Sequence, residues 1–356
     1  MSLELFERPE FDAHEQVVFG HDAVTGLRAI IAIHSTVLGP AAGGCRRRAY
    51  ASTSDAIADV LRLSRGMSYK NAMAGLALGG GKAVIIAAPG EAKTPELFRA
   101  FGRLVDSLGG RYVTAEDVGT SLEDMASVRQ TTRFVAGLGA APGAAGGDPG
   151  PKTALGVALG IEAAVRFRLG RASLQDVAVA VQGLGGVGYH LCRRLAAAGA
   201  RLEVADVRPT AVQRVADELG ARPVAAEAVL FRDVDVIAPC ALGAVLDARS
   251  IPRLRARIVA GAANNQLAVD EDGTALSAAG ILYAPDYVIN AGGIISVARE
   301  YEGGATEAQV IADIEGIPGR LTEIFERARL EGRPTGMIAD QLARERLARG
   351  ARQAAS

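Results

Sequence analysis

Cysteine is scarce in this chain: Cys45, Cys192 and Cys240 are too few and too far apart for a disulfide framework. There is no CxxC pair and no clustered His/Cys set, so no metal site is expected. The four histidines, His14, His21, His34 and His190, are dispersed and read as structural. An excess of charge of either sign is also missing. A net charge of −1 gives no electrostatic ground for nucleic acid or an anionic membrane as a partner. The one basic run, Arg46-Arg47-Arg48, reads as a solvated edge or a subunit contact. No apolar run approaches the roughly 20 residues that a membrane helix needs. The start, Met1-Ser2-Leu3-Glu4-Leu5-Phe6-Glu7, is acidic and lacks the basic start and apolar core of a signal peptide. A cytoplasmic location is expected.

What is present is the make-up of a globular protein, 49% hydrophobic and 22% charged, with 356 residues to build two domains. Leu27–Ser35 is β-branched and apolar and reads as a strand. Ser52-Thr53-Ser54 supplies N-cap hydroxyls for a helix with Ile57, Val60, Leu61 and Leu63 on one face. Residues 83–87 read as a buried strand that starts at Lys82, 94–108 as a helix, and 111–114 as a strand delivering the loop of Asp117. Residues 137–151 are almost wholly small or turn-forming, the best candidate for a domain boundary or hinge. A helix over about 153–167, a strand over 177–182 and a helix over 186–198 follow. Short strands end at Asp206 and cover 234–238 and 258–260. This alternation argues for a parallel sheet with right-handed crossovers. From about 306 the chain reads as helical, with the Arg/Ala-rich end at 349–356 expected to fray.

Two lysines carry the chemistry. Lys70 closes Gly66-Met67-Ser68-Tyr69-Lys70, and Lys82 closes Gly79-Gly80-Gly81-Lys82. Both are bordered by Gly, Ala, Met and Leu, where a charge costs free energy unless something negative meets it. That pattern points to a site for an anionic small molecule. Asp117 follows in Thr114-Ala115-Glu116-Asp117-Val118-Gly119-Thr120. Later, Gly183-Leu184-Gly185-Gly186-Val187-Gly188 follows a strand and opens a helix, and Asp206 ends the next strand. This is the context of a dinucleotide fingerprint: glycines for a tight turn and close approach, a helix N-terminus for the pyrophosphate, and a carboxylate for the ribose hydroxyls. Asp206 would repel a 2′-phosphate, which favours NAD over NADP. Arg208 weakens that preference slightly.

These motifs together resemble the amino-acid dehydrogenase superfamily of glutamate, leucine, phenylalanine and valine dehydrogenases. The resemblance covers nearly the whole chain. It runs through 38–44, 66–71, 79–82, 115–120 and 183–188. It continues in Ala238-Pro239-Cys240-Ala241-Leu242-Gly243, Ala262-Ala263-Asn264-Asn265-Gln266 and 283–293, and it is closest to the leucine and valine members. It implies an α/β protein of two domains with a cleft between them. Residues 1–140 would form the substrate-binding and oligomerisation domain, with the helix at about 335–356 packed back on it. Residues 150–330 would form a Rossmann dinucleotide-binding domain, and hinge closure would expel water.

The resemblance also assigns roles. Lys70 would hold the substrate α-carboxylate, helped by Gly43, Gly44 and Met67. Lys82 would be the catalytic lysine, made available as a neutral amine by burial and a nearby second ammonium. Asp117 would exchange protons with the substrate nitrogen, and Asn265 would touch the substrate. Thr153, Cys240, Ala241, Ala263 and Asn264 would join Gly183–Gly188 and Asp206 around NAD. The implied reaction is reversible oxidative deamination of an amino acid to a 2-oxo acid and ammonia, in a homo-oligomer. Ala42, Ala115, Ile294 and Val297 would line the side-chain pocket. Alanine at 42, where glutamate-using relatives have lysine, argues against glutamate. The aliphatic lining argues for leucine, valine or isoleucine, with an aromatic substrate (phenylalanine or tryptophan) as the alternative. A catalytically inactive sensor of NAD or amino acids is the rival of another class. A 2-hydroxy-acid dehydrogenase would need a histidine acid/base in a motif that this chain lacks.

Overall fold

The computed structural model describes residues 4–88, 90–139 and 143–355. Residues 140–142 of the glycine-rich stretch, Met1–Leu3 of the acidic start and Ser356 lie outside the described residues. The chain forms two compact units. One comprises Met1–Gly147, Val297–Glu307 and Ala343–Ser356. The other comprises Asp148–Ser296 and Ala308–Leu342.

The first unit is built on a mixed sheet. Strands β1 (Gln16–Asp22) and β2 (Leu27–Ser35) form an antiparallel pair. The short β3 (Ala41–Ala42) and β4 (Cys45–Arg48) precede helix α1 (Thr53–Ala74) and strand β5 (Gly79–Ile86). Helix α2 (Pro95–Asp106), strand β6 (Tyr112–Val113) and helix α3 (Leu122–Arg129) complete it. The order is β1-β2-β5-β3-β6, with β4 also paired to β5. β2 is apolar at nearly every position because both of its faces are covered. Ile31 and Ile33 pack with Phe98 and Phe101 of α2 and with Met125 of α3. Ile30 and Ala32 pack with Ile57, Val60 and Leu61 of α1.

The helix expected after Ser52 is present, with Ser52 accepting from Asp55 N–H as its N-cap. Its buried stripe continues through Ser64, not Leu63, because 57, 60, 61 and 64 share a face at 3.6 residues per turn. β5 begins at Gly79, three residues before the expected start at Lys82. At Gly80 the strand has no room for a side chain because α1 crosses it closely. A Cβ on Gly80 would sit 2.1 Å from the Ser68 backbone nitrogen.

The second unit opens with α4 (Pro149–Leu169). It then alternates β7 (Ala178–Gln182), α5 (Gly186–Ala197), β8 (Arg201–Ala205), α6 (Pro209–Leu219) and β9 (Arg222–Pro223). β10 (Val236–Pro239), β11 (Ile258–Val259), α7 (Glu271–Ala278) and β12 (Leu282–Tyr283) follow. The six strands are all parallel in the order β12-β11-β10-β7-β8-β9. The strand order therefore reverses between β7 and β10, the switch point where doubly wound sheets bind ligands.

Helices α8 (Asp286–Ile289), α9 (Gly292–Glu302), α10 (Glu307–Ile314), α11 (Ile317–Glu331) and α12 (Thr335–Ala355) close the chain. The end expected to fray is helical as far as Ala355, where α12 stops. In the first unit Arg346 Nη1 donates to the carbonyls of Ala72 and Met73, capping the C-terminal end of α1, and Arg344 Nε donates to Tyr69 Oη. Gly350 lies against Leu38. Those contacts hold the end of the helix against the first unit. Among the described residues no helix is long and apolar enough to cross a membrane, and no group of His, Cys, Asp or Glu could hold a metal ion.

Candidate functional site

The first unit gathers one set of the sequence-predicted residues. Parallel pairing puts Ala42 opposite Gly80 and Cys45 opposite Ala83, so the 42–45 turn runs beside Lys82 on β5. Gly43 N–H donates to Val113 O and Cys45 N–H to Ala115 O, which fastens the same turn to the segment leading to Asp117. Tyr112 Oη donates to the Gly43 carbonyl at 2.6 Å. Gly44 admits the Asp117 loop, since a Cβ there would lie 2.8 Å from Asp117 Cβ. Met67 reaches the same turn, its Cγ 3.0 Å from where a Cβ on Gly43 would be. Thr120 accepts from Asp117 N–H and lies 3.0 Å from the Cys45 carbonyl, and Ser121 and Asp124 form a capping box that starts α3 just beyond.

At the centre, Lys82 Nζ is 2.9 Å from Asp117 Oδ2. Lys82 is 6% exposed, so this pair is largely out of water. Arg46 Nε is 3.2 Å from the same carboxylate oxygen. Burial pushes the Asp117 carboxyl up, but Lys82 and Arg46 more than offset it and hold the group below the usual carboxylate range. Burial pushes the neighbouring Cys45 thiol and Tyr112 phenol well up, so both stay neutral. Lys70 is half-buried on α1, the helix packed against β5, and Ala115 is half-buried beside Gly137. Ala42 is buried. Ile294 and Val297 of α9 are each half-buried, Ile294 in the second unit and Val297 in the first.

The second unit gathers the other set on one edge of its sheet. Register aligns Gln182 with both Ala205 and Pro239, so Gly183, Asp206 and Cys240 leave their strands side by side. Gly183 has φ +94, a region closed to most side chains. A Cβ on Gly188 would lie 1.9 Å from the Gly183 carbonyl, so only glycine lets α5 pack that closely on β7. Gly185 and Gly186 would point a Cβ into open space, and no side chain caps α5, which leaves its N–H groups free for an anion. These residues fit a dinucleotide pyrophosphate.

Asp206 accepts from Leu184 N–H at 2.7 Å and pairs with Arg208 at 3.1 Å. Arg208's hydrogen bond, then the Leu184 and Arg208 N–H groups, outweigh burial and lower its carboxyl to about 2. Ala241 packs on Gly183, Thr153 on Gly293, and Ala263 N–H donates to Pro239 O. Asn264 Oδ1 accepts from Asn290, while the buried Gln266 clamps the carbonyls of Gly261 and Ala263. Asn265 then sits at φ +51, a strained backbone held by its surroundings.

Sequence reasoning missed Asp59 and Thr120, and it placed Arg46 only in a basic run. Arg46 Nη1 also binds Asp59 Oδ2 at 3.0 Å, and Tyr50 Oη donates to the same oxygen at 2.8 Å. A cavity of about 730 Å³ between α4 and α11 of the second unit is lined by none of the expected site residues.

A family model described as "Glu/Leu/Phe/Val dehydrogenase, dimerisation domain" matches residues 12–134. One described as "Glutamate/Leucine/Phenylalanine/Valine dehydrogenase" matches residues 202–332. The chain is 48% identical to the leucine dehydrogenase of Bacillus subtilis, over 98% of this chain and 95% of the relative. It is 44% identical to the phenylalanine dehydrogenase of Bacillus thermotolerans, over 98% of this chain and 92% of that one. The solved L-tryptophan dehydrogenase from Nostoc punctiforme aligns with a TM-score of 0.85 at 45% identity, covering 96% of this chain and 97% of that one.

Proposed function

The chain belongs to the Glu/Leu/Phe/Val dehydrogenase family of amino-acid dehydrogenases, and from that premise we propose reversible, NAD-dependent oxidative deamination of a branched-chain L-amino acid. The observation that carries the reading is the buried Lys82–Asp117 pair at 2.9 Å beside the Gly43-Gly44 turn. NAD⁺, when bound, supplies the hydride acceptor that converts the substrate amine to an iminium ion. Gly183–Gly188 and the N-terminus of α5 would hold its pyrophosphate. Asp206 would take the adenosine ribose hydroxyls by exchanging them for its contacts with Arg208.

Lys70 supplies a full positive charge for the substrate carboxylate, with the Gly43-Gly44 turn beside it. Asp117, an ionised acceptor, takes a proton from the substrate ammonium so that the nitrogen lone pair is free. Lys82, as a neutral amine, removes a proton from the water that adds to the iminium carbon. Asp117 returns a proton to the nitrogen of the carbinolamine and, as the C–N bond breaks and ammonia leaves, takes the hydroxyl proton, so that the 2-oxo acid forms. Asn265 would touch the substrate, and Thr153, Cys240, Ala241, Ala263 and Asn264 would line the nicotinamide side. Ala42, Ala115, Ile294 and Val297 would line the side chain with small aliphatic groups. The match of one family model named for dimerisation to residues 12–134 supports a homo-oligomer built on the first unit.

An aromatic substrate is the second reading, favoured by the small side chain at Ala42 and by the likeness to the tryptophan and phenylalanine dehydrogenases. NAD⁺ reduction followed at 340 nm over L-leucine, L-valine, L-phenylalanine, L-tryptophan and L-glutamate separates the two. Leucine or valine should lead by at least tenfold in kcat/KM. An aromatic lead replaces the branched-chain assignment, and no turnover with NAD still bound replaces it with a sensor. Lys82→Ala should lower kcat by at least 1000-fold with NAD binding within about threefold, and retained turnover would remove Lys82 from the mechanism.

A further inference from the structure

Asp117 carries two cations on a single oxygen, Lys82 at 2.9 Å and Arg46 at 3.2 Å. A carboxylate paired with Lys82 alone would hold the lysine as an ammonium, which is the wrong form for a base. A guanidinium does not deprotonate in proteins, so Arg46 neutralises Asp117 whatever the charge on Lys82. Arg46 is pinned from behind: its Nη1 lies 3.0 and 3.4 Å from the two oxygens of Asp59. Tyr50 Oη donates to Asp59 at 2.8 Å, and Arg62 approaches it at 3.3 Å. The far side of Asp59 opens on a cavity of about 330 Å³ lined also by Arg48, Tyr50 and Arg62. β4, the neighbouring α1 and the distant Asp117 loop thus converge on one charge chain.

We propose that Arg46, held by Asp59, is a positioning residue that fixes the Asp117 carboxylate and sets how readily Lys82 releases its proton. It rests on the reading that Lys82 works as a neutral amine. The charged or titratable groups around Lys82 are few enough to name. β4 contributes Arg46, Arg48 and Cys45, and α1 contributes Asp59, Arg62 and Lys70. β2 contributes Arg28 and His34, the latter bonded to Ser68. β6 contributes Tyr112, and the loop and α3 contribute Glu116 and Asp124, the latter paired with Lys93 at 2.9 Å. Cys45 and Tyr112 stay protonated through the working range because burial raises both. Burial opposes the Asp59 charge, yet Tyr50 and Arg46 keep that carboxyl below its usual range. Beside Lys82, Arg46 is a permanent cation in contact with Asp117, and Asp59 acts through it.

The test is the acid limb of kcat against pH for L-leucine oxidation with NAD⁺, or for whichever amino acid in the panel turns over fastest. Removing the cation in Arg46→Gln leaves Asp117 to Lys82 alone, stabilises the ammonium and should move the limb about one pH unit upward. Removing the anion in Asp59→Asn frees Arg46 to lean on Asp117 and should move the limb downward. Arg46→Lys should restore most of the shift, and KM should change less than kcat throughout. Opposite displacements support the proposal. Limbs that stay in place while kcat falls, or that move the same way, overturn it and leave Arg46 as packing only. Should thermal melting show Arg46→Gln unfolded, Asp59→Asn and Arg46→Lys carry the same decision. Wild-type-like turnover in Lys82→Ala would overturn the underlying reading, and a limb that moves in the Arg46 and Asp59 variants while Lys82→Ala is dead separates the two failures.

Discussion

His14 Nε2 donates to the Leu61 carbonyl at 3.0 Å and lies 2.9 Å from Ser64 Oγ, and its ring meets that of His34 edge-on with centroids 4.8 Å apart. Burial, then the charge of a protonated His34, lower its pKa from 6.5 to about 4. The fold therefore prefers the neutral ring, while the unfolded chain binds a proton below pH 6.5. The stability that this group contributes is fully present above about pH 6.5 and is lost as pH falls toward 4, on the order of 3 kcal/mol at the limit. Melting temperature should drop by several degrees between pH 7 and 4.5. His14→Asn should melt lower at neutral pH but show a flatter acid slope, and an unchanged slope would take His14 out of the account. Reading the sequence treats such a histidine as structural because no partner motif surrounds it. The same reading failed to see Arg46 as part of the site. Its partners, Asp59 and Asp117, lie 13 and 71 residues away, and a basic triplet gives no sign of which arginine turns inward.

At the scale of elements, legibility follows locality. The turn of Gly183–Gly188 was readable because strand, glycines and helix are contiguous, and each glycine answers a nearby constraint, as Gly188 does against the Gly183 carbonyl. β5 was harder. Glycine weakens a strand in isolation, so 79–81 reads as a turn, yet pairing with Ser35 and Ile33 of β2 and with β3 makes it strand. The two-residue β3 leaves no period to detect, although it sets the Gly43-Gly44 turn beside Lys82. α12 shows the converse. Its end looks like a fraying tail, but Arg344, Arg346 and Gly350 find partners on α1 and at Leu38. Those contacts tie the C-terminus to the helix that carries Lys70, a dependence that no local pattern records.

At the scale of the whole molecule, the return of Val297–Glu307 and Ala343–Ser356 to the first unit is set by contacts, not by composition. Each unit has its own buried core, one around Phe98, Phe101 and Ile31 and the other around Ala180, Ile237 and Val259. The residues proposed for NAD between Gly183 and Asp206 all belong to the second unit. A ligand that binds only the folded form stabilises what it binds, by about 2.7 kcal/mol at 100 times its Kd. Hydrogen exchange read by mass spectrometry should then separate the two units. With NAD⁺ at that excess, amides of β7 and β10 that exchange through opening of their unit should slow about 100-fold. Amides of β2 and β5 should keep their rates. NADP⁺ should protect the second unit less at equal concentration, because on the proposed reading Asp206 would meet its 2′-phosphate. Equal protection of both units by NAD⁺ would mean that they open as one cooperative body, and protection confined to β2 and β5 would remove the dinucleotide from the second unit altogether.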